Sequence, residues 1–235
     1  MAIKPRDNES FYREVDEELR RDRARTLWER YGKLAIAGVV LLLAAIAGAI
    51  YWNNHKQEQA GKQGETLIGA FDDISGGNKA AATTKLDQLA KADQPGYRAA
   101  ALLTKADLAI EANNLDGAAA IYRQVSGDQS LDESYRNLAL VRGTAVEFDK
   151  LQPQAVVERL KGVAVAGNPW FGSAGEMVAI AYLKLNKPAD AARIFAAMAK
   201  DKQVPDSIRT RAVQMAGSLG VDAIEEPAGA AQEGK

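Results

Sequence analysis

The sequence has no cysteine, which excludes disulfides, thiolate zinc sites, thiolate-held iron–sulfur clusters and cysteine nucleophiles together. Histidine is nearly absent as well. His55 stands alone beside an apolar segment, so a Ser-His-Asp arrangement or a histidine metal site would have to be built around that one residue. Prolines number 7, aromatics are 6% of the chain, and β-branched runs are few; with abundant alanine this composition favours helix over sheet. No charge of one sign prevails either. Lys and Arg total 30 against 31 Asp and Glu, so the chain lacks the basic footprint that a nucleic-acid binder needs to displace counterions.

What is present is one long apolar run. Leu34 to Trp52 reads LAIAGVVLLLAAIAGAIYW, 19 residues without a charged side chain, and a helix of that length measures about 28 Å, close to the hydrocarbon thickness of a bilayer. Leu34, Ile36, Val39, Val40, Leu41, Leu42, Leu43, Ile46 and Ile50 together favour insertion by about 3 to 5 kcal/mol. Trp28 and Tyr31 before the run, and Tyr51 and Trp52 at its end, suit the two membrane interfaces. Arg20, Arg21, Arg23, Arg25, Arg30 and Lys33 precede it closely, whereas only Lys56 and Lys62 follow closely. Basic residues resist translocation, so the N-terminus is expected in the cytoplasm and the larger C-terminal part outside it. Ala47-Gly48-Ala49 has the small-x-small form of a signal-peptide cleavage site. The long, mixed-charge region before the run and the length of the run itself favour a retained anchor.

Residues 9 to 33 form an arm in which Phe11, Val15 and Leu19 recur every four residues, followed by Leu27, Trp28 and Tyr31. That spacing predicts an amphipathic helix running into the span. Asp16 with Arg20, and Glu17 with Arg21, place the acid first at i,i+4, the favourable order on a solvated face.

Beyond the span the chain repeats. Ala82, Ala118, Ala155 and Ala191 are separated by 36, 37 and 36 residues, close to the period of a helix–turn–helix repeat. Turn residues recur a few positions upstream of each: Gly76-Gly77-Asn78, Asn113-Asn114, Leu151-Gln152-Pro153 and Asn186-Lys187-Pro188. Large residues follow the alanine by four and seven in Leu86 and Leu89, Tyr122 and Val125, Phe195 and Met198. Ala106, Gly143 and Ala179 occupy the small position of the first helices. The pattern resembles the tetratricopeptide repeat, with a departure near Pro153, where Arg159 stands in an apolar position beside Leu160. It predicts helix pairs near 57–92, 97–127, 132–163 and 169–200, then a terminal helix near 205–219 that covers the last apolar edge. Gly220 is a helix stop, and EEPAGAAQEGK has the composition of a disordered tail.

No residue set for catalysis emerges. Asp72-Asp73, Glu17-Glu18 and Glu225-Glu226 are neighbours about 100° apart on a helix and do not converge. Gly76-Gly77 lacks the Lys-Ser/Thr of a phosphate loop, and Trp170-Phe171 reads as packing between repeats, with a hydrophobic contact for a client segment as the alternative. Binding is the remaining chemistry. If the register holds, Leu103, Asp107, Leu140, Thr144, Glu147, Ser173, Glu176 and Ile180 project from first helices into a concave, peptide-binding face.

The expected order is therefore all-α: a cytoplasmic amphipathic arm at 1–33, a transmembrane helix at 34–52, a periplasmic tetratricopeptide-like solenoid at 53–219 and a disordered tail at 220–235. Three stretches, ELRRDRARTLWERYGKLAIAGVVLLL, YWNNHKQEQAGKQGETLIGAFDDI and GYRAAALLTKADLAIEANNLDGAAAIYRQV, resemble the YfgM-like family, ancillary subunits of the bacterial Sec translocon. The resemblance implies a non-catalytic module without cofactor or metal, held in the inner membrane beside the Sec translocon. It would work with a membrane-anchored periplasmic chaperone on newly exported polypeptides. A scaffold or regulator of another envelope or signalling complex is the alternative.

Overall fold

The computed structural model describes residues 7–222, with the backbone alone at 7–20, 22–24, 27 and 35. All regular elements among the described residues are helices: α1 (Asp7–Ser75), α2 (Lys79–Leu89), α3 (Pro95–Glu111), α4 (Leu115–Gly127), α5 (Glu133–Glu147), α6 (Pro153–Leu160), α7 (Phe171–Lys184), α8 (Pro188–Lys200) and α9 (Asp206–Ser218). The chain divides into two compact units, Met1–Gly61 and Lys62–Lys235. The apolar stripe of the arm and its two expected ion pairs lie outside the described side chains, and the tail from 223 onward lies outside the described residues.

In the first unit the apolar run turns its side chains outward. Leu41 is 71% exposed and Leu34 69%, and within Trp28–Ser75 the most apolar window, long enough to cross a membrane, has none of its residues buried. Three of the aromatics that flank the run, Tyr31, Tyr51 and Trp52, have polar neighbours. The Arg30 guanidinium lies 5.7 Å from the Tyr31 ring centroid, and Lys56 Nζ lies 5.5 Å from that of Trp52. The rings of Tyr51 and His55 stack at 6.3 Å, and His55 Nε2 is 3.0 Å from the Gln59 amide nitrogen. The sole histidine is thus engaged in local contacts on its own helix.

In the second unit the helices pack in chain order, each against the next from α2 to α9. First helices of neighbouring pairs also touch, α5 against α7 and α7 against α9. The expected pairs appear at their predicted places, with one difference at the start. The first pair has no helix beginning near 57; its first helix is the end of α1, because lone glycines at 61, 64 and 69 do not stop a helix.

Three of the four turns inside pairs share one construction. Gly77, Asn113 and Asn186 have φ of 77°, 56° and 57°, the left-handed conformation that glycine and asparagine tolerate best. In each, the next residue's N–H reaches back five positions, Asn78 to Asp73 at 2.7 Å, Asn114 to Ala109 at 2.8 Å and Lys187 to Tyr182 at 2.9 Å, satisfying a carbonyl that the helix end leaves open. Gly220 closes α9 in the same way, with φ 81° and Val221 N–H donating to the Ala216 carbonyl at 3.0 Å. Asn78 and Asn114 then cap the following helices, accepting from Ala81 N–H at 3.4 Å and Gly117 N–H at 3.0 Å.

The fourth turn differs and corrects the repeat register. Leu151-Gln152-Pro153 has no left-handed residue, and Pro153 sits in the first turn of α6, where its fixed φ is already helical. The following helix is displaced by one residue. Ala155 is exposed, while Val156, Leu160 and Val163 are 1%, 0% and 4% exposed. Those three take the places held by Ala82, Leu86 and Leu89, by Ala118, Tyr122 and Val125, and by Ala191, Phe195 and Met198, all buried. Leu160, not Arg159, is the large apolar residue of this repeat.

The small positions are buried where helices cross. Ala106 and Ala179 are 0% exposed, and a Cβ on Gly143 would stand 2.8 Å from that of Tyr122, so α4 and α5 approach as closely as a missing side chain permits. At the far end, α9 buries Ala212 and Ala216 against the cluster of Phe171, Phe195 and Met198, and leaves Thr210, Gln214 and Ser218 exposed. A terminal helix with a polar outer face is what a solenoid end requires.

Candidate functional site

The eight residues read from the sequence as a concave face do not share one surface. Leu103 is 8% and Thr144 0% exposed; the Thr144 hydroxyl donates to the Leu140 carbonyl at 2.7 Å, and Leu140 is half-buried against the cluster around Val156 and Val178. Ser173 is exposed, and Ile180 is half-buried against the cluster of α7, α8 and α9. The helical period explains the inward direction on α5. Residues three before, one after and four after the crossing Gly143 lie within about 100° of it, on the side that meets α4 and α6. The open side of α5 carries Ser134, Arg142 and Ala145 instead.

Asp107 and Glu176 join first helices to one another. Asp107 on α3 accepts from Arg142 Nη1 on α5 at 3.0 and 3.1 Å, and from the Tyr122 hydroxyl on α4 at 2.9 Å. Glu176 on α7 accepts from Arg211 on α9 through Nε at 3.0 Å and Nη2 at 2.9 Å, a two-bond geometry that fixes direction as well as distance. In both pairs the arginine lies 35 residues after the acid. That interval is one or two residues short of the 36- to 37-residue repeat spacing, so a search for charges near one repeat length is the signal by which Arg142 and Arg211 are found alongside the residues already singled out. Burial, and then donation to Asp107, push the Tyr122 phenol above its ordinary pKa, so it remains a neutral donor at physiological pH.

Two hollows open beside these residues. One of about 400 Å³ lies between α3 and α5, with Asp107, Tyr122 and Arg142 beside Ile110, Ala145 and Val146. The other, of about 150 Å³, lies among α4, α5 and α6, lined by Arg123, Leu140, Gly143, Thr144, Glu147 and Arg159 among others. Glu147 belongs to this second hollow, gripped by Arg123 at 2.7 Å and Arg159 at 2.6 Å. Trp170 and Phe171 pack into the clusters on either side of α7, Phe171 at 1% exposure, so they serve the core between repeats. Among the described residues there is no group of three or more His, Asp or Glu side chains placed to hold a metal.

A row of helix pairs, with complementary charges joining α3 to α5 and α7 to α9, defines a helical-repeat protein, here carrying one membrane-length apolar helix among the described residues. A family model described as a tetratricopeptide repeat-like domain matches residues 25–217, and over that extent the chain belongs to the tetratricopeptide repeat-like family. Two curated relatives are similar to it, and both bear out the YfgM-like resemblance. The ancillary SecYEG translocon subunit of Haemophilus influenzae is 29% identical over 138 residues, covering 57% of this chain and 65% of the relative. That of Escherichia coli is 28% identical over 139 residues, covering 59% and 66%. The chain thus spans just under two thirds of the length of each relative. No solved structure matches it.

Proposed function

We propose that this chain is a non-catalytic, membrane-anchored binding module that associates with the Sec translocon and assists newly exported proteins together with periplasmic chaperones. The observation that carries the reading is the pairing, in this chain, of a membrane-length apolar helix with a repeat domain, together with its similarity to two relatives named as ancillary subunits of that translocon. In this reading residues 1–33 are a cytoplasmic arm, 34–52 span the bacterial inner membrane, 53–219 work in the periplasm as a polypeptide-binding solenoid, and 220–235 are a disordered tail. The excess of basic residues before the span supports that orientation. Trp28, Tyr31, Tyr51 and Trp52, each at least 50% exposed, suit the two headgroup layers. Of the first-helix residues, Asp107, Leu140, Glu147, Ser173, Glu176 and Ile180 remain candidates for contact with a client, since they are exposed or half-buried.

The test is affinity isolation in mild detergent of the full chain beside one whose residues 34–52 are replaced by an unrelated span. Translocon components that co-isolate with the full chain and are lost with the replacement assign recruitment to the membrane helix. Failure of the full chain to bring down translocon components overturns the reading and favours a scaffold of some other envelope complex.

A further inference from the structure

The small hollow among α4, α5 and α6 carries a charge that its own residues do not balance. Glu147, at the end of α5, has a side chain only 16% exposed and accepts from two guanidiniums, Arg123 on α4 and Arg159 on α6. A simpler form of the arrangement exists in the first repeat. There Lys85 on α2 pairs with Asp73, 12 residues earlier on its own first helix, as Arg159 pairs with Glu147 across the same interval. The third repeat adds Arg123 from the preceding second helix, so one carboxylate faces two cations. Asp116, whose charge Arg123 also feels, is paired with Lys150, and Glu158 with Lys161, so each of these carboxylates brings its own cation. The hollow is left with one positive charge in excess.

Donors are left over as well. Among the described residues each arginine gives only its Nη1 to Glu147, and a guanidinium carries five N–H groups in a fixed fork. Beside the two forks the lining is mainly apolar. Leu140 and the bare Gly143 belong to it with Thr144, whose hydroxyl is spent on the Leu140 carbonyl. The volume of about 150 Å³ is well below the several hundred Å³ that small-molecule sites occupy. It is of the size of one side chain.

We propose that this hollow receives an acidic side chain, an aspartate or glutamate, of a bound polypeptide. The incoming carboxylate takes the unused N–H groups of Arg123 and Arg159 and brings the cluster to neutrality, while its methylenes rest on Leu140 and the Gly143 backbone. Charge-assisted guanidinium–carboxylate bonds are the strong ones, and a mainly apolar lining raises their weight further. The proposal rests on the reading of the domain as a polypeptide-binding module, and adds the chemistry it selects.

The experiment measures binding of a capped fluorescent peptide whose glutamates are its sole charges, beside the same peptide with glutamine throughout. The full chain is used, in uncharged detergent, by fluorescence anisotropy. The glutamate peptide is expected to bind about tenfold tighter, with a preference that shrinks as salt rises. Arg159→Leu and, separately, the more exposed Arg123→Gln each reduce that preference to about twofold or less, while circular dichroism shows the helical signal retained. Equal binding of the two peptides overturns the hollow and leaves the general polypeptide-binding reading standing. Binding of neither overturns both. A preference unchanged in Arg123→Gln, the variant that leaves the Arg159–Glu147 pair in place, overturns the assignment of the carboxylate to this hollow.

Discussion

Alanine is plentiful both in the apolar run at 34–52 and in the repeat domain, and the two regions use it in opposite ways. In the repeat domain Ala82, Ala106, Ala118, Ala174, Ala179, Ala191 and Ala216 are all 0% exposed. They set how near one helix comes to the next, and the larger neighbours Leu86, Tyr122, Leu160 and Phe195 fill the space between. In the apolar run Ala37, Ala44, Ala45, Ala47 and Ala49 are exposed, and so are the leucines and isoleucines among them. Among the described residues, none of the most apolar window of that helix is buried. The same residue types therefore specify packing against protein in one region and solvation by something other than water in the other.

The comparison breaks first where packing is deepest. Phe195→Ala removes a ring that is 2% exposed at the centre of the cluster holding α7, α8 and α9. A loss of about 3 to 5 kcal/mol is expected in urea unfolding of the domain. In the apolar run the same truncation at Leu41 is expected to leave the unfolding midpoint of the domain unchanged. A charge has the converse profile. Leu42→Arg shifts insertion by about 3 to 4 kcal/mol on a transfer scale, to be read as loss of the membrane-bound fraction, with the repeat domain's cooperative unfolding intact.

Close approach gives the next effect. Gly143→Ala places a methyl 2.8 Å from the Tyr122 Cβ, and about 1 to 3 kcal/mol of domain stability is expected to be lost as α4 and α5 separate. Gly48→Ala, with open space around its Cβ position, is expected to cost nothing measurable in the same unfolding assay. Turn chemistry comes below that. Asn186→Ala forces alanine into a left-handed φ of 57°, at a cost of about 1 to 2 kcal/mol, measured in urea.

The smallest effect is read by its pH dependence. The Asp201 carboxylate accepts N–H donors from Gly167 and Gln203, and these hold its pKa below the ordinary aspartate value. A depressed folded-state value contributes stability that is fully present above the unfolded pKa and is lost as pH falls through the folded one. Asp201→Asn is therefore expected to lower the thermal midpoint at neutral pH. The difference should narrow as pH drops below about 4 and vanish once the native carboxyl is protonated.

Much of this fold is legible in the sequence because its signals are local. Gly77, Asn113, Asn186 and Gly220 mark the helix ends by the conformation that glycine and asparagine accept. Ala106, Gly143 and Ala179 mark the crossings because few other residues fit there. The one-residue displacement of α6 is harder to read. It depends on Pro153 setting where the helix starts, and Ala155 mimics the repeat alanine while Val156 does its packing. The site is less legible than the fold, for a physical reason. Period identifies which residues occupy equivalent places, as with Asp107 and Thr144, yet Asp107 is exposed to meet Arg142 while Thr144 is buried against its own helix. Direction is set by helix-on-helix geometry between neighbouring repeats, which a single chain spells only indirectly. The pairing of Asp107 with Arg142 and of Glu176 with Arg211 becomes visible once charges are sought one to two residues short of the alanine spacing.

Alkaline carbonate extraction of membranes from cells producing the full chain tests the anchoring most directly. The account predicts that the intact chain stays with the membrane pellet, because about 28 Å of uncharged apolar helix is held by lipid and not by ionic contacts. Release of the chain into the carbonate supernatant would contradict it.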